Sequence, residues 1–330
     1  MKAIVQFPLR HYAAGCCAFL AAVVLFTEPA KADNFPDRPI TLVVPFPPGG
    51  STDISTRLLA AEMSKYVEQP IVVENKAGNG GAIGIAHVAR SAPNGYTLGI
   101  SGVGPTMLLN LTGQNNAYEP LKDLSYVAQQ VKVDFVFIAR NSLPANNLKE
   151  AIEIAKSRPG KMVFGNSGVN SPSHLTYEML ASSANIDGLA VPYKGESDLL
   201  KDVIGGQVDI GIATVPGASS AIRAGTVKAI GVAGAQRNPI FPDVPTVAEA
   251  GVAGFDVSTW QVIVAPAGLA SDRLEKLNSL INKALSTPAI KEKYASFGMT
   301  AMHSTPDETK KFVIDETKKW EGSLGLLKKK

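Results

Sequence analysis

The sequence predicts an α/β protein of two lobes, each a mostly parallel sheet flanked by helices. Three observations predict it. Short β-branched runs alternate with stretches of helical spacing along nearly the whole chain, and alternating βα units imply parallel strands. The chain has 330 residues, enough for two cored domains. No internal repeat or low-complexity linker interrupts it, which argues for lobes joined by strands rather than beads on a string. Hydrophobic residues make up 45% and charged residues 18%, which excludes a disordered chain. A net charge of +3 is too small to imply nucleic acid or an acidic membrane as partner.

The first 32 residues differ from the rest. Lys2 and Arg10 give a positive start, an apolar run extends from Ala13 to Phe26, and Ala30-Lys31-Ala32 closes it in a small-x-small pattern. This is the pattern of a secretory signal peptide cleaved near Ala32. The run of about 14 residues is short of the ~20 that span a bilayer. Cys16 and Cys17 both lie inside it, and a lipobox cysteine would follow its apolar region rather than precede most of it. The processed chain is therefore expected to carry no thiol and no disulfide.

The elements follow in order. Ile40 to Val44 reads as a strand, ended by the breakers Pro45, Pro47, Pro48, Gly49 and Gly50. A helix follows with Ser51 or Thr52 as N-cap and Ile54, Leu58, Met63 and Val67 on its apolar face. Ile71 to Glu74 is a strand, Gly78 to Gly81 a turn, and Ile85, Val88 and Ala89 belong to a helix. Tyr96 to Ile100 is a third strand. Next come a strand at Phe135 to Ala139, a helix at Leu148 to Ser157, a strand at Met162 to Phe164 and a helix at His174 to Ser182. Val208 to Ala213 and Val227 to Val232 are strands around a helix near Ala218 to Ala224. Ser271 is placed as the cap of a helix with Leu274, Leu277, Ile281 and Leu285 at helical spacing. Thr305-Pro306-Asp307-Glu308 combines a cap, a first-position proline and first-turn acids, a helix start.

Ligands of open α/β sheets sit beyond the carboxyl ends of the strands. Three loops there are rich in small residues, Pro45–Asp53, Ser101–Thr106 and Gly165–Ser173, and Pro192 to Glu196 follows another short strand. The Pro45–Asp53 loop has two readings. Glycines, hydroxyls and a helix N-terminus suit a carboxylate; the same residues also make an ordinary βα turn. Asp53 reads as an acid that organises this loop. Gly165-Asn166-Ser167-Gly168 carries the same two readings, and His174 reads as a structural residue or as one with a ligand or loop-ordering role. Enzyme motifs fail on inspection. Ser101 and Ser167 lack the second glycine of a nucleophile elbow, at Val103 and Val169. No phosphate-loop lysine motif and no dinucleotide fingerprint is complete. No His/Cys/carboxylate spacing suggests a metal. No catalytic residue, metal or cofactor is expected.

At these loops the chain resembles a known family, the Bug (TctC-like) extracytoplasmic solute receptors of tripartite tricarboxylate transporters. The matching residues begin with Arg38-Pro39-Ile40, Val43 to Gly50, and Asp53. They continue with Val72 to Lys76, Gly78, Gly80, Gly81, Gly84 and Pro93 to Leu98. Further on come His174-Leu175, Val191 to Gly195, Gly205 to Asp209, Pro242 to Thr246, Trp260 and Ala265 to Gly268. Each fragment is weak alone; their order along the whole processed chain is specific.

The resemblance implies a Venus-flytrap fold of the type II periplasmic binding proteins. Lobe one would be residues 33–132 and 257–330, and lobe two residues 133–256, with crossings near Lys132 and Val257. It implies a periplasmic, monomeric, non-enzymatic receptor for a small organic carboxylate, a di- or tricarboxylate or an aromatic acid, delivered to membrane permease subunits. By the same implication Phe46, Gly50, Ser51 and Asp53 line one side, Ser101 and Gly102 join them, and Asn166, Ser167, Gly168, Lys194 and Gly195 face them. One departure stands out: Ala213 replaces an acid common in the family. That points away from amino acids and towards a neutral aliphatic or aromatic body. The alternatives are a receptor feeding a periplasmic sensor, and a secreted hydrolase on the same scaffold.

Overall fold

The structure, a computed structural model, describes residues 1, 3, 35–115 and 117–327. The expected leader and its cleavage position near Ala32 lie outside the described residues.

The first half of the fold is built from three parallel strands. β1 (Ile40–Val44) pairs in parallel with β2 (Ile71–Asn75) on one side and β3 (Thr97–Gly102) on the other. The connections are α1 (Ser51–Met63) and α2 (Ala82–Ala89), so all three strands end at the same edge. After β3 a π-helical turn, Gly104–Leu108, runs into the short α3 (Leu109–Leu111). Antiparallel strands complete this sheet: β9 (Ser258–Pro266) lies against β3, and β4 (Leu124–Arg140) against β9. A short β10 (Met299–Ala301) pairs with the other side of β4.

The second half repeats the plan. β5 (Val163–Asn166) lies in parallel between β6 (Leu189–Pro192) and β7 (Ile210–Thr214). The far part of β4 and β8 (Val227–Val232) add antiparallel strands. β4 is thus common to both sheets: Asp134 still pairs with Ser258 of β9, and the next residue, Phe135, pairs with Thr214 of β7. Val136 to Ala139 are fully buried, because this strand is covered on both faces.

Helices flank the sheets: α4 (Pro120–Asp123), α5 (Leu148–Ser157), α6 (Pro172–Ala184), α7 (Glu196–Ile204), α8 (Val215–Arg223), α9 (Ser271–Ser286), α10 (Pro288–Ser296) and α11 (Pro306–Leu327). α11 packs on both β4 and α6, and so touches both halves. Among the described residues no helix is long and apolar enough to cross a membrane.

Three local expectations need correction. α1 is capped by Gly50 with no side-chain acceptor, rather than by Ser51 or Thr52. Its buried face holds Ser55, Thr56, Leu59, Ala60 and Met63, while Ile54 and Leu58 are half-buried and Val67 lies beyond the helix. The polar residues on that face are buried because they lie under the cleft described below. α9 likewise starts at Ser271 after an uncapped Ala270.

Candidate functional site

The Pro45–Asp53 loop is held by one carboxylate. Asp53 is buried and accepts hydrogen bonds from Gly49 N (2.9 Å), Arg57 Nε (3.0 Å) and Asn75 Nδ2 (2.9 Å). Asn75 Nδ2 also donates to Phe46 O (3.0 Å), and Arg57 donates to Asn75 Oδ1 (2.8 Å). The last residue of β2 therefore ties both ends of the loop after β1. Burial works against the charge on Asp53, but the bonds from Arg57, Gly49 and Asn75 overcome it and leave its pKa below the ordinary value. Gly49 has φ +86°, a left-handed conformation that suits glycine.

A polar layer lies beneath. Ser55 Oγ donates to Gln261 Oε1 (2.7 Å), and Gln261 Nε2 donates to Thr52 Oγ1 (3.3 Å). Tyr294 OH donates to Ser55 O (2.8 Å). β9 thereby fixes the start of α1. At the end of β3, a Cβ on Gly102 would stand 2.9 Å from Trp260 O, so only glycine lets the two strands approach. Ser101 Oγ and Thr106 Oγ1 are 2.6 Å apart, and Tyr118 OH donates to Pro105 O (2.6 Å), which fixes the π-helical turn. Trp260 Nε1 donates to Glu316 Oε2 (3.0 Å) and its ring meets Phe312 edge-on at 5.2 Å, so α11 braces this wall.

The opposing wall follows β5. Asn166 Oδ1 accepts from Gly168 N (3.0 Å), and Ser173 Oγ accepts from Ser167 N (2.9 Å). Ser171 caps α6 by accepting from His174 N (3.2 Å). His174 Nδ1 accepts from Asn170 N (3.1 Å), which assigns the proton of the neutral ring to Nε2. Burial lowers the His174 pKa against the opposing influence of Glu178. This histidine orders its loop.

Between these walls lies a cleft of about 510 Å³, within the roughly 300–1,000 Å³ of small-molecule sites. Of the expected residues, Phe46, Ser51, Ser101, Gly102, Ser167, Gly168 and Lys194 line it. Gly50, Asp53, Asn166 and Gly195 do not. The oxygens of Asp53 are taken up by its own loop, Asn166 is fully buried, and Gly195 starts α7. Thr52, Val169 and Asn170, which lie in loops singled out from the sequence, also line the cleft, and sequence reasoning missed Asn79, Gly80, Leu108, Leu109 and Gln261. Asn79 and Gly80 follow β2 and obey the same strand-end rule as the loops that were singled out. Nothing in the sequence marks the π-helical turn that brings Leu108 and Leu109 there.

Lys194 is the one charged residue among the described lining residues, which include no carboxylate. Ala213 requires a correction. It is fully buried on β7 opposite Val136, packs with Leu199 and Val203, and does not line the cleft. The missing acid there says nothing about the ligand. The nearby Glu196 is also turned away: it accepts from Thr214 N (2.7 Å) and Thr214 Oγ1 (3.0 Å), and burial raises its pKa despite these bonds.

Two sheets with their strand-end loops converging on one cleft define the class, a two-lobed solute-binding protein. The family model "Tripartite tricarboxylate transporter family receptor" matches residues 55–326, and the chain belongs to that family. It is 37% identical over 295 residues to Protein BugT of Bordetella pertussis, covering 89% of this chain and 90% of the relative. Among solved structures it is similar to R. palustris Rpa4515 with adipate: TM-score 0.81, 30% identity, 89% of this chain and 98% of the other. It is also similar to MatC from Rhodopseudomonas palustris with bound malate: TM-score 0.75, 33% identity, 88% of this chain and 99% of the other.

Proposed function

We propose that this chain is a periplasmic, monomeric receptor that captures a small organic carboxylate and presents it to the permease of a tripartite tricarboxylate transporter. The observation that carries the reading is the cleft itself. It is walled by strand-end loops from both sheets, supplied with backbone amides and hydroxyls at Ser51, Thr52, Ser101 and Ser167, and offered one cation among the described lining residues, Lys194. The start of α1 adds free N–H groups and a partial positive charge on the first-sheet side. The relatives solved with adipate and malate support a carboxylate as the class of ligand.

Capture proceeds by closure. The lobes are residues 33–132 with 257–330, and 133–256. The chain crosses between them in β4, at the change of pairing after Asp134, and again near Val257. A carboxylate that touches both walls favours the closed arrangement to the extent that it binds that arrangement better. Two hydrogen-bonded ends are sufficient for micromolar affinity, on the order of −8 kcal/mol. The cleft hydroxyls support binding without turnover, because Ser101 is paired with Thr106 and Ser167 with Ser173, not with a general base.

Calorimetric titration with adipate, malate and succinate tests the reading. At least one acid is expected to bind with micromolar affinity, and Ser51→Trp to weaken it a hundredfold or more by filling the first wall. Failure of every carboxylate to bind, or turnover of a bound acid, would overturn it.

A further inference from the structure

The composition of the cleft wall narrows the ligand class, an inference that rests on the capture reading above. Val169 is 67% exposed at a turn whose neighbours Gly168 and Asn170 take positive φ of 141° and 57°. Turn positions of this kind usually carry polar residues. Single exposed apolar residues are common on surfaces, but this one lines the cleft together with Phe46, Leu108, Leu109 and Trp260 of the first half. An apolar surface is therefore available from both sides of the same cavity.

Charge narrows the class further. No carboxylate is among the described residues that line the cleft, and the nearby Asp53 is engaged by Arg57. An ammonium group on the ligand would lose its hydration with no counter-ion to replace it. Lys194 is the single cation among those described residues, so one anionic end can be neutralised there and a third would find none.

We propose that the cleft selects acids whose hydrocarbon body lies between Val169 and the Phe46–Leu109 wall. Such acids carry no amino group and no more than one further anionic end, which Lys194 receives. Amino acids and tricarboxylates are excluded.

The test is calorimetry of the processed full chain with acetate, butanoate, hexanoate, benzoate, adipate, citrate and aspartate. Affinity is expected to rise by about fourfold per methylene from butanoate to hexanoate, the increment of a buried methylene. Citrate and aspartate are expected to bind at least tenfold more weakly than adipate. Val169→Asn, at an exposed position, is expected to keep the melting temperature and weaken hexanoate and benzoate about tenfold, while acetate is unchanged. Tighter binding of citrate or aspartate than of hexanoate and adipate would overturn the selectivity and leave carboxylate capture standing. An equal loss for every acid in Val169→Asn would overturn the role of that side chain. Absence of binding by all seven acids would remove the capture reading, and the selectivity with it.

Discussion

The wall after β1 and the wall after β5 have similar outlines and different chemistry. The first is tied by a buried carboxylate bonded to a guanidinium, a carboxamide and a backbone amide, which links the ends of β1 and β2. The second is tied by hydrogen bonds among neutral groups, the hydroxyls of Ser167, Ser171 and Ser173 and the ring of His174, with the Glu178 carboxylate 3.7 Å from that ring. Bonds to a charged group are about twice as strong as neutral ones. The first wall is therefore the stiffer. On the proposed capture reading, the difference sets a stiff wall against one that can adjust.

The largest expected effect breaks the stiff wall. Asp53→Ala removes the acceptor shared by Gly49, Arg57 and Asn75. A loss of about 2 kcal/mol is expected by urea denaturation, less than a fully buried ion pair would give because half of Arg57 is in solvent. Ligand affinity should fall at least tenfold. If stability drops and affinity does not, loop position and capture are separate. Ser173→Ala removes only neutral bonds to Ser167 and should cost about 1 kcal/mol. Its effect on affinity should be a few-fold, and a loss equal to that of Asp53→Ala would erase the distinction between the walls.

Acid separates the walls with the smallest perturbation. The folded pKa of His174 lies below its ordinary 6.5, so its contribution is complete above that pH and is lost as pH falls from 6.5 through the folded value. The folded pKa of Asp53 lies below its ordinary 3.8, so its contribution is complete above 3.8 and is lost as pH falls through the lower folded value. Amide protection, corrected for the intrinsic pH dependence of exchange, should therefore fall at residues 168–173 before residues 46–50 as pH is lowered. His174→Asn keeps an acceptor for Asn170 and should abolish the earlier step.

Much of this architecture was legible where local signals act alone. Leu148 to Ser157 spans the helix that spacing predicts, because Asn147 Oδ1 accepts from Glu150 N while the Glu150 carboxylate accepts from Asn146 N and Asn147 Nδ2. Thr305 and Glu308 form the same kind of box, which also holds the Glu308 pKa low. Legibility failed where tertiary contacts decide. The first part of β4 buries Gln129 and Gln130, which hides any alternation, and β9 is covered on both faces. α7 and α10 were not anticipated either, although Thr287 and Pro288 offered a cap and a first-position proline for α10. The site was legible in its glycine- and serine-rich loops. Its apolar wall was not, since Leu108 and Leu109 reach the cleft only through the fold and nothing marked Val169, within one of those loops, as an apolar contact.

The strand common to both sheets has a consequence for melting. Each half borrows β4 to complete its sheet, so neither has a finished interior without it. Heat cannot take one half apart and leave the other whole. The two should disappear in a single cooperative endotherm, and one proline in the middle of that strand should abolish both.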